Sequence, residues 1–277
     1  MSPLITATVH EQLRAAARAG RETIDCTLDL GRSMTRVDVL ASEWRSHDSS
    51  YPYLETCKDR TIYYWAGDAF QPLARYSDSL IKLVPTDWGA PTFEIDGIKM
   101  LPTARVSPYV DAQAKVALIQ PRGKAILDTC GGLGYFAAWC LHGEARAVSS
   151  FEKNPDVIWL RTLNPWSPEG AGEVDARLTL QQGDIASEIA LLPAESFDAA
   201  LHDPPRFGIA GELYSQAFYD ELARVLKPRS KLFHYTGTPN KLTSGRDVPN
   251  EVANRLRRAG FTTQLSGDGV LAIKQRR

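Results

Sequence analysis

The chain has little cysteine, no long apolar run and no excess of charge, and each of these shortages removes a class of protein. Its four cysteines, Cys26, Cys57, Cys130 and Cys140, form no C-x-x-C pair and stand at no zinc-ligand spacing from a histidine. A chain of 277 residues does not depend on disulfides for its core, so reduced structural thiols are expected. No stretch approaches the roughly 20 consecutive apolar residues that a membrane span requires. Met1 to Gly20 holds no signal-peptide run but the spacing Val9, Leu13, Ala16, Ala17 of a short amphipathic helix, so a cytoplasmic location without membrane contact is expected. The 32 Lys plus Arg against 33 Asp plus Glu leave a formal charge of −1, which gives a polyanionic partner no support from the total. Nucleic acid would need a local basic patch, and Arg14, Arg18 and Arg21 are the candidates for one. The histidines His10, His47, His142, His202 and His234 are dispersed, so no metal site is expected.

What is present falls into two stretches with different rhythms. From Glu22 to Leu101 short strand-like runs alternate with turns, at Ile24 to Leu30, Thr35 to Leu40, Thr61 to Trp65 and Ser79 to Val84. Thr92 to Ile95 and Ile98 to Leu101 flank Asp96-Gly97, whose positive backbone angles make a tight hairpin turn. A small β-rich region over 1–104 is therefore expected, positioned as a cap over a substrate. Its aromatics Tyr51, Tyr53, Tyr63, Tyr64, Trp65 and Trp88 read as core before they read as pocket. Over 105–277 strands alternate with helical patterns, the mark of β-α units and a parallel sheet. The expected strands are Ala125 to Asp128, Ala147 to Phe151, Leu178 to Gln182, Phe197 to His202 and Lys231 to Tyr235. Helices are expected at Val106 to Ile119, Tyr135 to Leu141, Val157 to Leu163, Ile185 to Leu191, Gly211 to Leu226 and Val248 to Ala259. Phe261 to Leu265 and Val270 to Lys274, joined by Gly267-Asp268-Gly269, close the chain as an antiparallel pair. The fold class is thus α/β, a Rossmann-like doubly wound, mostly parallel seven-stranded sheet with an antiparallel last strand, behind a β-rich N-terminal domain.

The apolar strand ending in Asp128 runs through Thr129-Cys130-Gly131-Gly132-Leu133-Gly134 into a helix. Glycines at such a turn let backbone approach a ligand and set helix-terminal N–H groups beside it. An acid ahead of the glycines suits a cationic amino group better than a pyrophosphate. Three more expected strands end on acids, Glu152, Asp184 after Gly183, and Asp203. In open α/β sheets the carboxyl ends of the strands hold the ligand, so all four carboxylates point to one place.

These residues, Asp128-x-x-Gly131-Gly132-x-Gly134, Glu152, Gly183-Asp184 and Asp203-Pro204-Pro205-Arg206, resemble the ordered motifs of class I S-adenosylmethionine-dependent methyltransferases over roughly Val106 to Arg277. With Phe207 and the downstream Gly211 to Ser215 and His234 to Gly237, the pattern is similar to a poorly characterised, mainly archaeal branch of predicted methyltransferases with a DPPRF motif. The resemblance implies S-adenosyl-L-methionine as cofactor. Asp128, Thr129, Gly131, Gly132 and Gly134 would then meet the methionine part, Glu152 the ribose, Asp184 and Ile185 the adenine, with Asp203 beside them.

Asp203 is the candidate to orient or deprotonate the nucleophile; His202 is a catalytic candidate by its ordinary acidity, though at a strand end a hydrogen-bonded structural histidine is expected first, and Arg206 is a candidate to pair with a substrate carboxylate or phosphate. Pro204, Arg206, Phe207, Tyr214 and Tyr235 are expected to line the substrate site. Arg206 stands where the family's nitrogen methylases carry an aromatic residue, which points away from amino-group methylation of a base. The expected activity is methyl transfer to a nitrogen or oxygen of a small molecule. RNA base methylation is one alternative. Transfer or cyclisation of the aminocarboxypropyl or aminopropyl part of the cofactor is another.

Overall fold

The computed structural model describes residues 2–170, 172, 174–237 and 247–276. The chain divides into two compact units, Met1–Val110 with Trp159–Gly172, and Asp111–Ile158 with Glu173–Arg277.

The first unit is built on short antiparallel strands. Helix α1 (Ala7–Arg18) starts where the Thr6 hydroxyl accepts from the Val9 amide. It buries Val9, Leu13 and Ala16, one side of a helix by spacing, among Cys26, Val37, Val39, Trp44 and Tyr63. Strands β1 (Leu4–Ile5), β6 (Tyr63–Trp65) and β7 (Phe70–Pro72) form one sheet. A second contains β2 (Thr23–Cys26), β3 (Thr35–Val39), β4 (Glu43–Ser46) and β5 (Ser49–Pro52). A third holds β8 (Ala74–Tyr76), β9 (Leu80–Val84), β10 (Thr92–Ile95) and β11 (Ile98–Lys99). The Asp96-Gly97 hairpin forms as its chemistry requires, with φ of 48° and 78° and Ile95 opposite Ile98. Tyr51, Tyr53 and Tyr63 pack in this unit's core, whereas Trp88 is 47% exposed. Strands β1, β4, β5, β7 and β8, each of two to four residues, are not among the expected strands. The Trp159–Gly172 segment is anchored by fully buried Arg161, whose guanidinium donates to both Glu169 oxygens at 3.0 and 2.7 Å.

The second unit is one seven-stranded sheet in the order β14-β13-β12-β15-β16-β18-β17. Its strands are β12 (Ala125–Asp128), β13 (Ala147–Glu152), β14 (Leu178–Gln182), β15 (Phe197–His202), β16 (Leu226–Tyr235), β17 (Phe261–Ser266) and β18 (Gly269–Lys274). Neighbours from β14 to β16 run parallel, and β18 is inserted antiparallel between β16 and β17. The helices are α3 (Tyr135–His142), α5 (Ile185–Glu188), α6 (Gln216–Val225) and α7 (Val248–Arg258), with α2 (Pro108–Ile119) and α4 (Pro155–Leu163), whose residues are divided between the two units. The single helix expected over Gly211 to Leu226 is instead a 3-10 turn (Gly211–Tyr214) followed by α6. Ser215 makes the break, being extended with its hydroxyl capping the Phe218 amide at 3.1 Å. Strand β16 begins at Leu226 rather than Lys231, because Leu226 already pairs with Phe197 ahead of an irregularity in register. Chain order reverses at β12, which has β13 on one side and β15 on the other, and the carboxyl ends of strands at such a reversal are where open α/β sheets bind their ligands. Among the described residues no helix is long and apolar enough to cross a membrane.

Candidate active site at the carboxyl ends of the parallel strands

The glycine turn is held by backbone and by one carboxylate. The Gly131 amide donates to the Phe151 carbonyl at 2.7 Å, and the Gly134 amide to the Gly131 carbonyl at 2.7 Å. Gly132 and Gly134 take φ of 48° and 76°, a left-handed geometry that side chains oppose, and Gly134 enters α3 with no side-chain cap. The Gly132 amide donates to Glu152 Oε2 at 2.9 Å, while Glu152 Oε1 accepts from the Asn154 amide at 2.9 Å. Glu152 is thus oriented from the end of β13 toward the turn. Asp128 is fully buried and accepts from the Ser150 hydroxyl at 2.8 Å, so it braces the two strands beneath the turn. Asp184 caps α5 through the Ala186 amide at 3.0 Å and pairs with Lys153 at 2.7 Å, and the lysine holds its carboxyl below the usual range. Ile185 puts its side chain into the core.

The histidine candidate has a different task. His202 is fully buried, with Nδ1 2.6 Å from Thr129 Oγ1 and Nε2 3.1 Å from the Leu213 carbonyl. A carbonyl only accepts, so Nε2 carries the proton and Nδ1 accepts from the Thr129 hydroxyl. Burial, reinforced by His234, holds His202 well below the ordinary imidazole value. Both ring nitrogens are used, which fits the structural histidine expected at this strand end and not the acid-base candidate. Thr129 is likewise buried, its hydroxyl turned to His202 and Leu201 rather than outward.

Tyr214 is corrected in the same way. It is buried, and its hydroxyl donates to the Pro205 carbonyl at 3.1 Å, which ties down the Asp203-Pro204-Pro205-Arg206 loop instead of lining a pocket. Within that loop Pro204 is buried, Phe207 sets its ring 5.4 Å from that of Tyr214, and Arg206 is exposed. Cys130 sits inside the turn, and burial with the charges of Glu152, Asp203 and Asp128 holds its thiol protonated, which disqualifies it as a nucleophile.

The remaining candidates meet in a charged cluster. Asp203 follows β15 and is half-buried. Burial pushes its carboxyl up to about 7, with Lys115 opposing the rise and Asp111, Asp128 and Asp268 adding to it. Lys115 is 4% exposed, its Nζ 2.6 Å from Asp111 Oδ2, 3.3 Å from Asp268 Oδ2 and 4.0 Å from the centre of the Tyr235 ring. Asp111 and Lys115 lie one turn apart on α2, and Asp268 occupies the turn between β17 and β18. That turn is forced close to β16, since a Cβ on Gly269 would stand 2.4 Å from the His234 carbonyl. Lys115, Asp111 and Asp268 were not among the sequence candidates. The one signal for them was an acid set between two glycines in a hairpin beside the strand that ends in Tyr235.

A reversed parallel sheet with β18 inserted antiparallel, a glycine turn after its central strand and acids at successive strand ends together make a class I methyltransferase-like fold. The crystal structure of a spermidine synthase in complex with the transition state analogue AdoDATO superposes with a TM-score of 0.58 at 17% identity, covering 78% of this chain and 79% of that one. The spermidine synthase of Thermotoga maritima gives 0.56 at 17% identity over 78% of each chain. Over 268 residues, 92% of this chain and 91% of the relative, the sequence is 37% identical to the Uncharacterized protein MJ1233 of Methanocaldococcus jannaschii. The chain belongs to the family of that protein. It is also 30% identical over 136 residues to Polyamine aminopropyltransferase 2 of Streptomyces coelicolor, a match that takes in 47% of this chain but only 24% of that longer relative. No family model matches.

Proposed function

We propose that the chain transfers an alkyl group from a sulfonium nucleoside of the S-adenosylmethionine type to the nitrogen of a small, cationic amine. The observation that carries this is the cluster beside Asp203, where one buried ammonium pairs with Asp111 and Asp268 over the ring of Tyr235, the residue that follows the register partner of His202. Excess negative charge at half-buried depth favours a positively charged guest. A carboxyl raised to about 7 accepts the proton of an ammonium more readily than an ordinary aspartate does.

The turn residues fit the donor. Left-handed Gly132 and Gly134 leave backbone without side-chain cover, and Glu152 stands at the strand end from which ribose hydroxyls are held. Asp184 would meet the adenine from the next strand end, with Ile185 packed into the core behind it, and Asp128 would act from beneath the turn. The donor supplies an activated carbon on positively charged sulfur. The chain's part is to align the amine lone pair with that carbon opposite the breaking carbon–sulfur bond, exclude water, and take the released proton on Asp203. Pro204 and Phe207 would shape the acceptor side, Tyr235 would flank it, and exposed Arg206 would meet the distal part of the acceptor. A small-molecule partner follows, and the near-zero net charge gives RNA no comparable support.

The group transferred is methyl in the first reading. Aminopropyl is the second, supported by the similarity to Polyamine aminopropyltransferase 2. Incubation of the pure protein with S-adenosylmethionine or its decarboxylated form and a panel of small amines, followed by mass spectrometry, tests both. S-adenosylhomocysteine with a methylated amine supports the first, and methylthioadenosine with an extended amine supports the second. Neither product from any amine, with oxygen or RNA acceptors active instead, refutes the proposal.

A further inference from the structure

Lys115 has no part in the chemistry described so far, yet its burial is of a kind that ammonium groups adopt only when paired. Asp111, one helical turn before it, and Asp268, from the β17–β18 turn, hold the nitrogen from two elements, and the Tyr235 ring covers it from a third. Tyr235 and Asp203 directly follow the register partners His234 and His202, so the ring that covers the lysine stands at the strand end next to Asp203, and Lys115 is the group that favours the charged form of Asp203. The other groups facing Asp203 come from three directions: Asp128 and Cys130 from β12 and its turn, Tyr214 from the 3-10 turn, and Tyr235 from the end of β16. Of these, Asp128 disfavours the charge on Asp203, and the charge on Asp203 in turn holds Cys130, Tyr214 and Tyr235 in their neutral forms.

We propose that Lys115 is a positioning residue for Asp203, shared with Asp111 and Asp268 so that Asp203 both accepts a proton from an incoming ammonium and releases it after transfer. An unshared lysine would form a plain ion pair with Asp203, and a carboxylate in such a pair is a poor proton acceptor. Without the lysine, Asp203 among three other acids would keep its proton at neutral pH and could not begin the cycle. Dividing one positive charge among three carboxylates leaves Asp203 between these extremes. The role rests on the reading of Asp203 as proton acceptor, and its test needs neither donor nor acceptor.

Protein labelled with 13C at the aspartate carboxyls is titrated by NMR, and the resonance missing from Asp203→Asn identifies Asp203. Lys115→Met should move the Asp203 midpoint up by about one unit or more, Lys115→Arg should keep it within about half a unit, and Asp268→Asn should move it down by about half a unit. The aspartate at 268 lies in a surface turn, so its replacement reads out even where Lys115→Met does not fold. Midpoints unmoved in both Lys115→Met and Asp268→Asn, or in Asp268→Asn alone where the other does not fold, overturn the assignment, as does a downward move in Lys115→Met. Failure of this titration leaves the transfer reaction standing, and failure to bind a sulfonium nucleoside leaves the titration interpretable.

Discussion

Two buried polar clusters occupy neighbouring positions on the same pair of strands and do opposite things with charge. His202 and His234 are register partners on β15 and β16, their rings 4.4 Å apart. Each ring nitrogen has a partner: Thr129 and Leu213 for His202, Tyr219 at 2.9 Å and the Tyr235 carbonyl at 2.7 Å for His234. Burial drives the ordinary value of His234 down to about 4, so charge is excluded. One residue further on, Asp203 and Tyr235 open the second cluster, where Lys115 is outnumbered by carboxylates. Hydrogen bonds that close on themselves fix a structure, whereas charge that does not balance waits for a partner. Chemistry is therefore assigned to the second cluster and scaffolding to the first, although the first contains the residues whose ordinary acidity suits catalysis.

This contrast can be broken most forcefully at Asp203. Asp203→Asn should reduce transfer by about 100-fold or more, measured as single-turnover product by mass spectrometry, with the circular dichroism spectrum unchanged. The complementary change, His202→Ala, should cost about 2–3 kcal/mol of stability by urea unfolding, since it takes this partner from the Leu213 carbonyl and leaves a cavity against Phe218 and His234. The surviving folded enzyme should keep the wild-type pH profile; a shifted profile would return His202 to the chemistry. A smaller effect is expected at the turn, where Glu152→Gln should weaken the binding of S-adenosylmethionine about tenfold in calorimetry.

The finest distinction is in the pH dependence of stability. Asp203 is raised to about 7 in the folded chain, so the folded state holds a proton that the unfolded chain releases, and this contribution to stability is lost as pH rises from the ordinary aspartate range through about 7. His202 and His234 act in the opposite sense, because the unfolded chain takes up protons below 6.5 that the folded rings refuse. Asp203→Asn should accordingly melt higher than wild type at pH 8, with the gain fading toward pH 4. A gain that is independent of pH would contradict the raised acidity.

Much of this site was legible because the second unit's strands are continuous apolar runs with acids at their ends. Ala125 to Asp128, Leu178 to Gln182 and Phe197 to His202 are found where the text places them, and Asp96-Gly97 makes its hairpin. What the text hides is direction. His202 ends a strand one residue before Asp203, and only the Leu213 carbonyl, brought by a 3-10 turn eleven residues on, shows that the ring looks inward. Tyr214 likewise reads as a loop residue until its hydroxyl is seen on Pro205. The pair Asp111 and Lys115 has the spacing of an ordinary solvated helix pair, and nothing local reveals that Tyr235 and Asp268 close over it. Charge imbalance is a tertiary property, and it is there that sequence reading stopped.

The central claim, a sulfonium nucleoside held by the glycine turn and Glu152, is tested most directly by calorimetric titration of the pure protein with S-adenosylmethionine, its decarboxylated form and S-adenosylhomocysteine, alongside Glu152→Gln. Micromolar binding of at least one of them, weakened by the substitution, is the expected result. Absence of binding by all three, in protein shown to be folded, would contradict the account.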